Sequence, residues 1–363
     1  MVLTNKDLRI LNVLVHGGGK VSAEEISSVL DIPPRTVRYR LSRLKKHGYL
    51  KRLYAMTHER KMGLKHHCVI FEEDLSYGSI PEDLLRSLFY VTYYSPIYGS
   101  THGLILHFVE SLDLDNQGLE TCKLLKERGI IADFHFYESL DYVSFQPDIK
   151  RMNKEGLWDW SHNDWIETIK DVLNGNDLIP ITFDKNPDIT KFDKKDLIIL
   201  DALKIDGGIT HKDLGEKVDL SGTQVGNRIS HLESEGIIKG YRLFIREPLQ
   251  PVYFYIFLDI HSKVDEVLSA FVHLPFPKEI IYTDTGMYLV RLRFYGEDIP
   301  VILRGFHLLK PFLKEYRFHE AVSMSSGPIS AYLQNYDPNS GVMITPKFDY
   351  EKIISDFCES QTD

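Results

Sequence analysis

A chain of 363 residues, 43% hydrophobic and 26% charged, has room for two to four domains with ordinary cores and does not have the composition of a disordered protein. The longest apolar run, Val252 to Leu258, is strand-sized, far short of the ~18 residues of a membrane span. The first residues include Lys6, Asp7 and Arg9 where a leader would be apolar, so a cytosolic location without a membrane partner is expected. Cys68, Cys122 and Cys358 lie too far apart in sequence to suggest a disulfide framework or a paired-cysteine zinc site. The net charge of −9 is unevenly spread: residues 1–60 hold 12 Lys/Arg against five Asp/Glu, and Pro33 to Leu53 hold eight bases and no acid. Screening confines such a local field to about 10 Å, so it can attract phosphate whatever the distant charges do.

In chain order, Leu8, Leu11 and Val15 give a first helix from about Asn5 to Val15. Ser22-Ala-Glu-Glu has the capping-box pattern and opens a second helix with Ile26, Val29 and Leu30 inward. A third follows Pro33-Pro34, placing Val37, Leu41 and Leu44 on one stripe, and Gly48 stops it. Tyr49 to Leu53 reads as the first strand of a wing hairpin, which makes residues 1–60 a winged helix-turn-helix. There follow an extended segment (His67 to Glu72), a helix (Pro81 to Val91), strands around Pro96 to Val109, a helix (Gln117 to Arg128) and a strand (Asp133 to Val143). This β-α-β-β-α-β order is ferredoxin-like and occupies residues 64–146.

Residues 147–192 contain Trp158, Trp160 and Trp165 and form a connector, with Trp165, Ile169, Val172 and Leu173 on the stripe of a docking helix. The pattern then recurs. Asp196-Leu-Ile-Ile-Leu repeats Asp7-Leu-Arg-Ile-Leu, and Asp219, Val225, Arg228, Leu232, Gly236 and Lys239 repeat Asp31, Val37, Arg40, Leu44, Gly48 and Lys51. A second winged helix-turn-helix is therefore expected over 193–246 and a second ferredoxin-like domain over 250–336, before a tail at 337–363. The expected fold class is α+β, two tandem repeats of a winged helix-turn-helix followed by a β-α-β-β-α-β domain.

The run from Asp219 to Tyr241, above all Ser221-Gly-Thr-Gln-Val-Gly-Asn-Arg-Ile-Ser-His-Leu, resembles the recognition helix and turn of Lrp/AsnC-type regulators. The two-domain order resembles that family over nearly the whole chain, as two fused copies. The resemblance implies double-stranded DNA as partner through each third helix, pairing through the α/β domains and, in some members, amino-acid effectors. The Gly-Asp-Tyr-Asp-like turn of amino-acid-sensing members is replaced here by Gly99-Ser-Thr-His-Gly and Asp284-Thr-Gly-Met-Tyr, so an amino acid at the usual site is not expected, and a small-molecule effector of open identity stays among the expected partners. Fusion allows an intramolecular pseudo-dimer, with a homodimer as the other assembly.

With each helical residue advancing about 100°, Arg35, Tyr39, Ser42, Arg43 and Lys46 are expected to point outward, with Arg38 on the flank. Arg35, Thr36, Arg38 and Tyr39 lie in the first two turns, which reach base edges, whereas Lys46, Lys51 and Arg52 suit phosphates. In the second copy Thr223, Gln224, Asn227 and Arg228 are the candidates, in a segment of balanced charge that releases few counterions. Arg40 and Arg228 border the apolar stripe, so either an acid of a preceding helix or DNA is open to them. The first copy is expected to supply most of the affinity.

The runner-up is an enzyme, because sirohaem decarboxylases resemble the same two-domain unit and Lys51 to Met56 with Arg60 to Leu64 is similar to their segment after the wing. His66, His67, His102, His107 and His135 are the acid/base candidates. Their His-Asn-Tyr-type motif is not found here, and no catalytic residue, metal or cofactor is assigned. His66-His67-Cys68 does not suggest a shared ion, because on a strand His67 faces away from the other two.

Overall fold

The computed structural model describes residues 2–74, 79–160, 162–322, 325–326 and 331–360. The first unit runs α1 (Asn5–His16), α2 (Ala23–Leu30), α3 (Pro34–Lys46) and β1 (Leu50–Thr57). It continues as β2 (Leu64–Glu73), α4 (Glu82–Leu88), β3 (Val91–Gly99), β4 (Gly103–Ser111), α5 (Gln117–Glu127) and β5 (Ile131–Phe145). After α6 (His162–Leu173) the same order returns as α7 (Lys194–Ile205), α8 (His211–Val218), α9 (Gly222–Ser234), β6 (Ile238–Ile245), β7 (Pro251–Ile260), α10 (Val264–Val272), β8 (Lys278–Thr283), β9 (Tyr288–Tyr295), α11 (Ile299–Leu309) and β10 (Leu313–Ala321). A short β11 (Ser325–Ser326), α12 (Ala331–Gln334), the pair β12 (Tyr336–Asp337) and β13 (Val342–Met343), and α13 (Tyr350–Ser360) complete it.

Each helical unit is built by local chemistry. Thr4 and Ser22 cap α1 and α2 in reciprocal capping boxes with Asp7 and Glu25, and Asp193 and Asp196 do the same for α7. The turn before each third helix pivots on an aspartate in left-handed conformation, Asp31 at φ 53° and Asp219 at φ 52°. Pro34 opens α3, where its missing N–H costs nothing.

Strand β1 does not fold back on its own unit as a wing hairpin. It pairs antiparallel with β6 of the second unit, Leu53 opposite Leu243 and Ala55 opposite Tyr241, and this ribbon joins the two helical units. Burial explains the choice: Ala55, Tyr241, Leu243 and Ile245 are all buried by the pairing and by the helices packed on it.

The eight long strands of the α/β portions close into one ring. Within it β5-β2-β4-β3 and β10-β7-β9-β8 each have the ferredoxin-like order, and the ring closes where β5 meets β8 and β3 meets β10. Closure leaves neither four-stranded sheet with a bare edge. At the second junction Gly99 (φ 139°) and Gly103 (φ 152°) flank the β3–β4 turn. A Cβ at Gly99 would lie 2.3 Å from the Phe318 carbonyl oxygen, and one at Gly103 would lie 2.1 Å from that of Phe71. The ring interior holds Cys68, Ile70, Ile105, Tyr137, Phe257 and Leu289, while α4, α5, α10 and α11 supply residues to the outer cores.

The connector docks as the apolar stripe predicts. Trp165 is 2% exposed, its indole Nε1 donates to the Ala270 carbonyl at 2.8 Å, and Ile169 and Val172 are buried with it. The segment expected as a tail has structure: Ile354, Tyr350 and Phe357 of α13 join the core under α4 and α5. Among the described residues no helix is long and apolar enough to cross a membrane.

Candidate nucleic-acid interface

Helix α3 packs through Val37 and Leu44 against α1, α2 and β1, and its opposite side faces solvent. Arg35, Arg38, Tyr39, Ser42, Lys45 and Lys46 are all exposed, Tyr39 to 66%. Arg35, Lys45 and Lys46 have no ion-pair partner among the described residues. Arg38 pairs with Glu24 of α2, both side chains exposed. Such a pair contributes little and exchanges readily for a phosphate. Thr36 is half-buried at the start of the helix.

Three candidate cations are spoken for. Arg43, expected to point outward, instead turns in and donates to Asp7 at 2.5 Å, beside Arg40 at 2.9 Å. Its place on the flank and its long side chain let it reach the 0% exposed carboxylate at the start of α1. The Asp7 carboxyl stays below its ordinary pKa: burial pushes it up, but hydrogen bonds from Thr4 and Arg40 and the charge of Arg43 outweigh this. Arg228 repeats the arrangement in the second unit, donating to Asp196 at 2.8 Å and pairing with Asp193 at 2.9 Å. Arg52, expected at a phosphate, donates to the carbonyls of Lys204 and Ile205 at 2.6 and 3.2 Å, where its charge meets the negative end of α7. Lys51, its neighbour on β1, is exposed.

On α9, Thr223, Gln224 and Asn227 are exposed. The Gln224 amide oxygen accepts from the Ser221 backbone N–H at 2.8 Å, so half of that side chain caps its own helix. The His66-His67-Cys68 geometry is as alternation predicts: His67 lies against Phe108 and Phe136 on the outer face, while Cys68 faces the ring interior. Among the described residues no three His, Cys, Asp or Glu side chains are grouped to hold a metal ion.

Both helical units match family models: residues 192–239 match that of the winged helix-turn-helix DNA-binding domain, and residues 8–51 that of a helix-turn-helix domain. The HTH-type transcriptional regulator LrpB of Bacillus subtilis (strain 168) is 25% identical over 146 residues, 38% of this chain and 98% of the relative. The Bkd operon transcriptional regulator of Pseudomonas aeruginosa is 30% identical over 120 residues, 33% of this chain and 66% of the relative. The chain is of the Lrp/AsnC type. Among solved structures, the siroheme decarboxylase NirDL superposes with TM-score 0.54 over 97% of this Lrp/AsnC-type chain and 99% of its own; at 10% identity the likeness is one of fold.

Helical periodicity found the exposed face of α3 in this Lrp/AsnC-type chain but did not single out Lys45, which is exposed there too. The missed destinations of Arg43 and Arg52 depend on tertiary partners, Asp7 and the end of α7, that no local pattern specifies.

Proposed function

We propose that the protein is a sequence-specific DNA-binding transcriptional regulator that grips duplex DNA mainly through the exposed face of α3. The supporting observation is that face itself: Arg35, Arg38, Lys45 and Lys46 surround Tyr39 and Ser42, all six are exposed, and the ion pair found on this face among the described residues, Arg38 with Glu24, is itself exposed. Arg35, Arg38 and Tyr39 are the groups for base edges, and Lys45, Lys46 and Lys51 for phosphates. Helix α9 offers Thr223, Asn227 and the free half of Gln224 and adds selectivity more than affinity.

In this reading the chain is two fused copies, residues 1–146 and 193–336 joined by the connector at 147–192, acting as a pseudo-dimer. The β1–β6 ribbon and the closed strand ring are the contacts through which the two copies pair. The pseudo-dimer binds an asymmetric site because its two recognition helices differ in charge. Selection of bound sequences from random duplex at two salt concentrations tests this. A consensus of two unequal half-sites, with affinity falling steeply as salt rises, is expected; no enrichment at either salt overturns it.

The second reading, an enzyme resembling sirohaem decarboxylases, is favoured by one feature: His66 and His107 stack at 5.2 Å on the wall of an internal cavity, both held neutral at pH 7 by burial. Mixing the protein with sirohaem and following its visible spectrum decides between the two; an unchanged spectrum excludes the enzyme.

A further inference from the structure

Beneath the β1–β6 ribbon, at one end of the strand ring, lies a cavity of about 260 Å³. It is bounded by both halves of the chain: β2, β3, β4 and β5 of the first, β8 and β9 of the second, with Lys204 of α7 and Tyr332 of α12 closing it. Small-molecule pockets begin at roughly this size.

Its walls carry hydrogen-bonding capacity that the protein leaves unused. Both ring nitrogens of His107, which is 1% exposed, lack a partner, as do the buried hydroxyls of Thr92 and Ser139. Buried polar atoms are nearly always satisfied, so these three side chains, on β3, β4 and β5 around one cavity, offer hydrogen bonds to a guest.

The charges define the guest. Arg291 on the cavity wall shares one carboxylate, Glu279, with the buried Arg242, so two guanidiniums face a single negative charge. Arg60 is matched by Glu138, Lys204 by Glu59, and Asp141 by Lys239. The histidines add no charge: burial lowers His66 to about 4, and burial together with neighbouring His66 and Arg291 lowers His107 well below its ordinary value. His58, near Asp141 and Lys239, is likewise lowered chiefly by burial. One positive charge is therefore left over at Arg291, which repels a cationic guest and suits a monoanion. The stacked imidazoles of His66 and His107, with Tyr93 tilted against His107, offer flat faces to a ring.

We propose that this cavity binds a small planar monocarboxylate, its carboxylate at Arg291 and its ring beside His66 and His107, with Thr92 and Ser139 completing the hydrogen bonds. The site stands apart from α3 and does not depend on the protein binding DNA.

The test uses the full chain with histidine labelled at ring carbon and three probes of one shape: benzoate, benzamide and benzylamine. Benzoate is expected to shift the His66 and His107 resonances saturably and to raise the thermal midpoint, benzamide to do so more weakly, and benzylamine not at all. Arg291→Met should weaken benzoate at least about tenfold, the loss of one charge-assisted contact. Thr92→Val, a near-isosteric change, should weaken it less and keep the fold if the Arg291 variant does not. Absence of any histidine shift with benzoate, equal shifts with benzylamine, or unchanged benzoate affinity in folded Thr92→Val and Arg291→Met proteins overturns the proposal. Because none of these readouts involves DNA, their failure is distinct from a failure of the duplex-binding reading.

Discussion

Asp7 shows what a single buried carboxylate does for a helical unit. It caps its own helix through Thr4 and anchors Arg40 and Arg43 of α3, which sets how the recognition helix lies on α1. Asp196 holds the corresponding place under Arg228. Asp7→Asn keeps the shape and removes the charge, so two arginines lose their ionic partner; a loss of about 1–3 kcal/mol is expected in urea unfolding. No change in midpoint would show that the cluster is neutral to stability. On the solvent side, Arg35→Glu and Arg38→Glu should each weaken duplex retention at least about tenfold, whereas Gln224→Ala and Asn227→Ala should cost much less. Competition with a labelled duplex measures both; equal losses would contradict the dominance of α3. The outward places of Arg35, Arg38, Tyr39 and Lys46 were legible because helical rotation alone decides them. Arg43 was not, because a long side chain on the flank chooses between solvent and a carboxylate contributed from 36 residues away.

At the scale of elements, existence was easier to read than partnership. The periodicity gave α1 to α3, α7 to α9, both β-α-β-β-α-β orders and the docking of α6, since each depends on which side of a local element is apolar. The partner of β1 was misread as a strand of its own unit. Strand pairing is settled by what is buried across long sequence distances, here Leu243 and Ile245 of β6 against the first unit's core. The ring junctions β5–β8 and β3–β10, and the docking of α13, escaped for the same reason. The connector supplies a direct check. Trp165→Ala removes a fully enclosed indole and its bond to Ala270, and should lower stability by about 3–5 kcal/mol in chemical denaturation. A loss under about 1 kcal/mol would mean that α6 does not hold the α10–α11 face.

For the whole molecule, a closed ring and a shared ribbon predict that one chain is a complete folding unit and sediments as such. Its stability should depend on pH through the buried imidazoles. His66 falls from an ordinary 6.5 to about 4, with His107 and His58 lowered in the same direction chiefly by burial. Between those values the unfolded chain binds more protons than the folded one, so stability is lost as pH falls through 6.5 and levels off once the folded-state value is passed. The thermal midpoint at pH 5 should therefore lie below that at pH 7.5, and His66→Gln should flatten the difference; an identical slope in the variant would remove His66 from the account. Salt-dependent retention of a selected duplex tests most directly whether the exposed cationic face of α3 meets DNA. The Arg35→Glu, Arg38→Glu double variant, folded and melting like the parent, should bind weakly and show a shallower dependence on salt, because fewer counterions are released. Undiminished binding with the parent's salt slope would contradict that contact.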